Sequence, residues 1–168
     1  MNYTAQSIQA LIGCPKRIVD PPTKDFKEEK RHRRKDMRLQ SSGAPAQLFD
    51  VFIRQSLEFA EDFSLGLMYP NPEGKRITLI RYNGQHHQSN DPLDLAKTHF
   101  QYHIHMATAD NLSQGRYEKH PADPTIHYAS FEEATVAFLD RIRLDPQDIA
   151  RHFPGSDVLP LFQNLPPR

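Results

Sequence analysis

The chain has 168 residues with 21 basic and 21 acidic side chains, a hydrophobic share of 38%, 14 prolines and one cysteine, which fits a single domain able to bury its own core without a disulfide or metal staple. A net charge of zero excludes whole-molecule attraction to nucleic acid, so any such role must rest on local patches. The lone Cys14 excludes an internal disulfide framework and a cysteine-based zinc cluster, and the lack of a signal-peptide layout or an apolar run near ~20 residues leads to the expectation of a cytoplasmic protein with no membrane partner.

Thr4 is placed to cap a short helix with Ile8, Leu11 and Ile12 on one face, closed by Gly13 and Pro15. Cys14 follows that helix rather than starting one, so nothing there activates it as a nucleophile. Pro21-Pro22 breaks the chain before a charged run, residues 24 to 38, holding nine basic or histidine residues against four acids. Arg31, Arg33, Arg34 and Lys35 are dense enough to meet several phosphates. The plainer reading is a solvated charged segment, and Asp25, Glu28, Glu29 and Asp36 speak for it. If the run is extended, Met37 and Leu39 pin its end to the sheet while the arginines line an edge or groove.

From residue 49 the period is two. Residues 49 to 54 and 63 to 69 each alternate apolar and polar, as strands with one buried side do. A turn at 70 to 74 leads to a third strand over 76 to 82, apolar on both faces and so expected to be central, and Asn83-Gly84 ends it. Beyond a polar loop containing His86 and His87, Asp91-Pro92 suits the start of a helical turn. The spacing then predicts a strand over 99 to 106: Phe100, Tyr102, Ile104 and Met106 take one face, and His99, Gln101, His103 and His105 the other.

Residues 110 to 124 read as a loop and 125 to 129 as a short strand. Ser130-Phe131-Glu132-Glu133 is a capping box opening a helix to about Arg143, and Asp145-Pro146 caps a further helical segment through Phe153. The Pro-rich tail, 154 to 168, is expected to be poorly ordered. The expected fold is α+β: a single antiparallel β-sheet of four to six strands, a C-terminal helix packed on one face and a short N-terminal helix. It forms one domain, with its compact core at about 45 to 143.

Nine histidines are an excess for this length. Same-face strand residues two apart stand ~6.5 to 7 Å apart at their Cα atoms, so His103 and His105 can hold a metal together or flank one reacting phosphate. A metal would need a third ligand from His99, His86, His87 or Asp110, and no Glu or Asp sits at a recognised offset. Metal-independent phosphodiester cleavage needs no cofactor: one imidazole takes a proton from a ribose 2′-hydroxyl, the other protonates the leaving oxygen, and a cation holds the phosphate. Arg81 is the candidate clamp, and Tyr82 can position a base or donate a hydrogen bond. The third reading is a solvated polar sheet face. His32, His120 and His152 lie in charged or tail regions and read as solvated. Neither a P-loop nor a nucleophile elbow is present.

The stretch Leu79-Ile80-Arg81-Tyr82-Asn83-Gly84 with His86-His87, and the run from His99 to His105, resemble small bacterial proteins of toxin–antitoxin and phage-defence loci. TumE-like toxins are similar in having a leucine-arginine-tyrosine strand end followed by a histidine-rich segment. The resemblance covers residues 76 to 106. It implies an RNA-directed toxin or defence effector acting inside the cell that makes it, with a protein partner such as an antitoxin or defence subunit. The expectation is therefore a nucleic-acid-acting effector, a metal-independent ribonuclease using His103 and His105 as acid and base with Arg81 and Tyr82 beside them. Arg31, Arg33, Arg34, Lys35, His86, His87 and His99 would contact RNA. The alternative is a non-catalytic protein- or RNA-binding subunit of a defence or regulatory complex.

Overall fold

A computed structural model describes residues 3–71, 73–86 and 97–154, the side chain of His99 excepted. Among these residues the fold is α+β, with one antiparallel sheet of eight strands: β1 (Lys16–Asp20), β2 (Lys27–Glu29), β3 (His32–Ser41), β4 (Leu48–Ser56), β5 (Phe63–Pro70), β6 (Arg76–Asn83), β7 (His103–Met106) and β8 (Ala122–Pro124). The order is β1-β3-β4-β5-β6-β7-β8, and β2 pairs with the first part of β3. The helices are α1 (Ala5–Gly13), α2 (Ala109–Ser113), α3 (Phe131–Arg141) and α4 (Pro146–His152). None of them is long and apolar enough to cross a membrane.

Alternation decides which sheet face becomes the core. Phe49, Val51 and Ile53 of β4 and Phe63, Leu65 and Leu67 of β5 are buried, and Ile80 and Tyr82 of β6 pair in register with Leu67 and Leu65. Burying each such side chain contributes ~1.5–3 kcal/mol, so a register slip of one residue would forfeit the whole set. Phe131 and Phe138 of α3 meet this face, their rings 5.5 Å from Phe63 and 5.7 Å from Tyr82. Ile8 and Ile12 of α1 join the same core. Caps set the helix starts: Thr4, Thr108, Ser130 and Asp145 each accept from a backbone N–H in the first turn.

Lys16 lies wholly inside, at the join of α1, β1 and the end of α3. Its ammonium donates to the carbonyls of Ile12 (2.7 Å), Cys14 (2.8 Å) and Ile142 (3.1 Å) and stands 4.7 Å from the centre of the Phe49 ring. Ile12 and Ile142 end α1 and α3, where carbonyls lack intrahelical donors. Burial pushes the Lys16 ammonium down to about 8.

The sheet exceeds the expected four to six strands because β1, β2 and β8 are short and polar or mixed. Main-chain pairing holds them rather than an apolar stripe. The charged run is extended: it supplies β2 and most of β3, and Met37 and Leu39 are buried. The strand expected over 99 to 106 is shorter. Thr98–Phe100 is a 3₁₀ turn, so His99 does not share the register of β7, and only 103 to 106 pair with β6. No strand forms at 125 to 129. The pairing segment is Ala122–Pro124, whose register brings Ala122 opposite His105, and Tyr128 instead drops into the core and donates to the carbonyls of Asn83 (3.0 Å) and His103 (2.9 Å). The turn expected at Asp91-Pro92, His87 and the tail from 155 onward lie outside the described residues.

Candidate functional site

The sheet face opposite the core carries two parallel polar rows set by strand register. One row crosses Arg34, Arg54, Ser64, Asn83 and His103; the next crosses Asp36, Phe52, Gly66, Arg81 and His105. His103 and His105 thus share a face, with Ile104 and Met106 turned to the other, because β7 alternates as its sequence does. Arg81 is the direct register partner of His105.

His103 is completely buried. The Gln101 carbonyl only accepts, so ring Nδ1–H donates to it at 2.8 Å, and Nε2 accepts from the Asn83 amide at 3.0 Å. The Asn83 oxygen in turn accepts from the Ser64 hydroxyl at 2.8 Å. This chain fixes the neutral His103 ring and gives both nitrogens a partner.

His105 is held by one nitrogen. Its Nδ1–H donates to the His120 carbonyl at 2.8 Å, which leaves the lone pair on Nε2. Burial pushes its pKa below the ordinary histidine value; the hydrogen bond to the His120 carbonyl opposes that shift, and the nearby Arg81, His120 and His86 add to it, so the site favours the neutral ring. Arg81 is half-buried, and among the described residues it forms no hydrogen bond or ion pair; its Nε is buried without an acceptor, and Glu118 acts on it only at longer range. His120, also buried, makes no well-formed ring hydrogen bond, although the backbone of Thr78 and Tyr117 is close, and burial lowers its pKa.

The third imidazole of the row is His86, whose ring centre is 5.2 Å from that of His103; His103 is in turn 5.0 Å from His105. His86 Nδ1 lies 3.1 Å from Asp62 Oδ1. Gly84 makes this meeting possible: a Cβ there would fall 1.8 Å from the Glu61 carbonyl oxygen, so only glycine lets the end of β6 pass beneath the 61–62 turn. Beside Asp62 and Ser64 opens a cavity of about 430 Å³, lined further by Lys30, His32, Arg34 and Arg54. No group of three or more His, Cys, Asp or Glu side chains is placed to share a metal ion among the described residues.

The other sequence-derived candidates are dispersed. Tyr82 points to the core face and stacks on Tyr128 at 5.3 Å, and its hydroxyl pKa is raised by burial. The basic residues of β3 alternate between faces rather than forming one patch. Arg33 donates from Nε to Gln55 Oε1 (2.9 Å) and, like Lys35, covers Phe26 on the core side. Arg34 faces the cavity but is paired with Glu29 (3.3 Å) and Asp36 (3.6 Å), and exposed Arg31 meets Glu58. Asn83, Asp62 and Arg54 join the site without having been singled out from sequence, and His120, read there as solvated, is buried beside it because its carbonyl is drawn to His105. Parity alone would have found Asn83, two residues from Arg81 on one strand; nothing local marks the other three. No protein-family model, curated protein or solved structure matches this chain.

Proposed function

We propose that this chain is a nucleic-acid-directed effector of the toxin–antitoxin or phage-defence kind, acting inside the cell, and that it cleaves RNA without a metal. One observation carries the reading: the unpartnered Arg81 guanidinium stands directly across from His105, whose Nε2 holds a free lone pair. A ribose phosphate satisfies both, since its phosphoryl oxygens pair with the cation and its 2′-hydroxyl donates to the neutral imidazole. His105 Nε2 removes the proton of the ribose 2′-hydroxyl. The 2′-oxygen forms a new bond to phosphorus as the bond to the 5′-oxygen breaks, and the leaving 5′-oxygen takes a proton from His86, which is held by Asp62. The products are a 2′,3′-cyclic phosphate and a 5′-hydroxyl. Arg81 neutralises charge on the phosphoryl oxygens, and His103, bonded at both nitrogens, positions its two neighbours rather than reacting.

The expected result is chelator-insensitive cleavage of single-stranded RNA that disappears when the 2′-hydroxyl at the cut is replaced by hydrogen. His105→Ala should lower the rate by ~10²-fold or more. Cutting of the deoxy substrate, loss on chelation, or full activity in that variant would overturn the proposal. The second reading, a non-catalytic binding subunit, draws on the burial of His103, which withdraws one of the two imidazoles nearest the phosphate. Absence of cleavage by the wild type, with RNA or a protein partner still bound, would select it.

A further inference from the structure

The polar face holds a second unexplained pair, Phe52 in the row of Arg81 and Arg54 in the next. Phe52 is a partly exposed aromatic on the side of the sheet away from the core, and it takes no part in the core cluster. Its ring lies flat over Gly66, where a Cβ would meet two ring carbons at 2.3 Å, so the glycine keeps the ring down against the sheet. The guanidinium of exposed Arg54 lies over that ring, 5.2 Å from its centre, and among the described residues Arg54 makes no ion pair or hydrogen bond. Arg54 also lines the 430 Å³ cavity, whose wall includes Ser64 and Asp62, the residues that hold Asn83 and His86. Cavity and histidine row therefore adjoin through Asp62 and Ser64.

We infer that Phe52 and Arg54 form a base-and-phosphate subsite for single-stranded RNA, continuing the path that begins at Arg81 and His105. This inference rests on the RNA reading above and narrows its substrate. An aromatic ring and the guanidinium over it together take an unpaired base by stacking, and the same cation, paired with no carboxylate among the described residues, takes the adjoining phosphate. Phe52 and Arg81 are separated in register by Gly66 alone, two strand spacings or ~10 Å. The Phe52 ring lies over the glycine between them and so leans toward Arg81. Duplex RNA buries its base faces in its own stack, so Phe52 would have nothing to receive from it. Carboxylates also stand here, but Asp36 and Glu29 are engaged by Arg34 and Asp62 by His86.

Equilibrium binding of an eight-nucleotide 2′-deoxy or 2′-O-methyl strand to the full chain measures the subsite without cleavage. Phe52→Leu and Arg54→Gln should each weaken binding, Phe52→Leu by roughly 10-fold. Arg54→Gln should in addition reduce the salt slope by ~0.7, the share of one phosphate on a single strand. The duplex of the same sequence should bind more weakly and respond to neither change. Unchanged single-strand affinity in both variants, a preference for duplex, or binding of an acidic protein but no oligonucleotide overturns the subsite. Cleavage of RNA by these variants at the wild-type rate and affinity sinks the subsite and spares the ribonuclease. Loss of binding in the variants of a protein that cuts nothing keeps the subsite and sinks the ribonuclease.

Discussion

Lys16 and Arg81 are both cations drawn out of water, and the fold treats them in opposite ways. Lys16 is fully buried and meets three carbonyls and an aromatic face, so every donor has a use within the chain. Arg81 is only half-buried, yet among the described residues its guanidinium has no acceptor. The cost of moving a charge from water is offset in part at Lys16 by helix-end carbonyls that would otherwise lack donors, and the lowered ammonium pKa records the remainder. At Arg81 no group among the described residues recovers it, and the proposed RNA phosphate is the anion that would. The same contrast divides the two strand histidines: His103 is satisfied at both nitrogens and His105 at one.

The largest expected effect lies at the satisfied cation. Lys16→Met removes a buried charge but strands three carbonyls, and we expect a net loss of about 3 kcal/mol in denaturant unfolding at pH 7. The pH dependence has a definite sign. The folded protein holds the Lys16 proton more weakly, at about 8, than the unfolded chain at 10.5, so the unfolded state binds more protons in between. Stability of the wild type relative to Lys16→Met should rise as pH goes from about 8 to 10.5. A flat difference across that window would show that the ammonium is not desolvated.

His103→Ala should cost about 2 kcal/mol, because the buried Asn83 amide and Gln101 carbonyl lose their partner. An exposed polar face would tolerate the change, so a neutral result would return His103 to the catalytic role read from the sequence. The smallest stability change belongs to Arg81→Gln: within about 0.5 kcal/mol of wild type, or a gain, as expected where function holds an unsatisfied group. Its signature is in the rate profile. The Arg81 charge helps hold the His105 pKa down, so its removal should move the acid limb of cleavage to higher pH. A clear loss of stability with an unmoved limb would make Arg81 a structural cation like Lys16.

Several elements were legible from short-range pattern. The alternation in β4 and β5, the two-sided apolar run of β6 and the cap residues of α1, α3 and α4 act over a few residues and need no distant partner to be read. The side-chain alternation from His103 to Met106 likewise put His103 and His105 on one face. The 3₁₀ turn at His99 and the polar edge strands were not legible, because main-chain pairing to a neighbour defines a strand that carries no apolar stripe.

What the sequence determined by itself is the parity of each strand, and hence the grouping of Arg81 with Asn83 and of His103 with His105, since side chains alternate wherever backbone is extended. Tertiary structure alone decided the rest. Burial and a partner at each ring nitrogen hold His103, while among the described residues His105 is bonded at one nitrogen; the return of β8 delivered the His120 carbonyl, and the close pass at Gly84 set Asp62 against His86. Those outcomes depend on groups far apart in the chain reaching one place, and desolvation and hydrogen-bond satisfaction are properties of that place rather than of the residue.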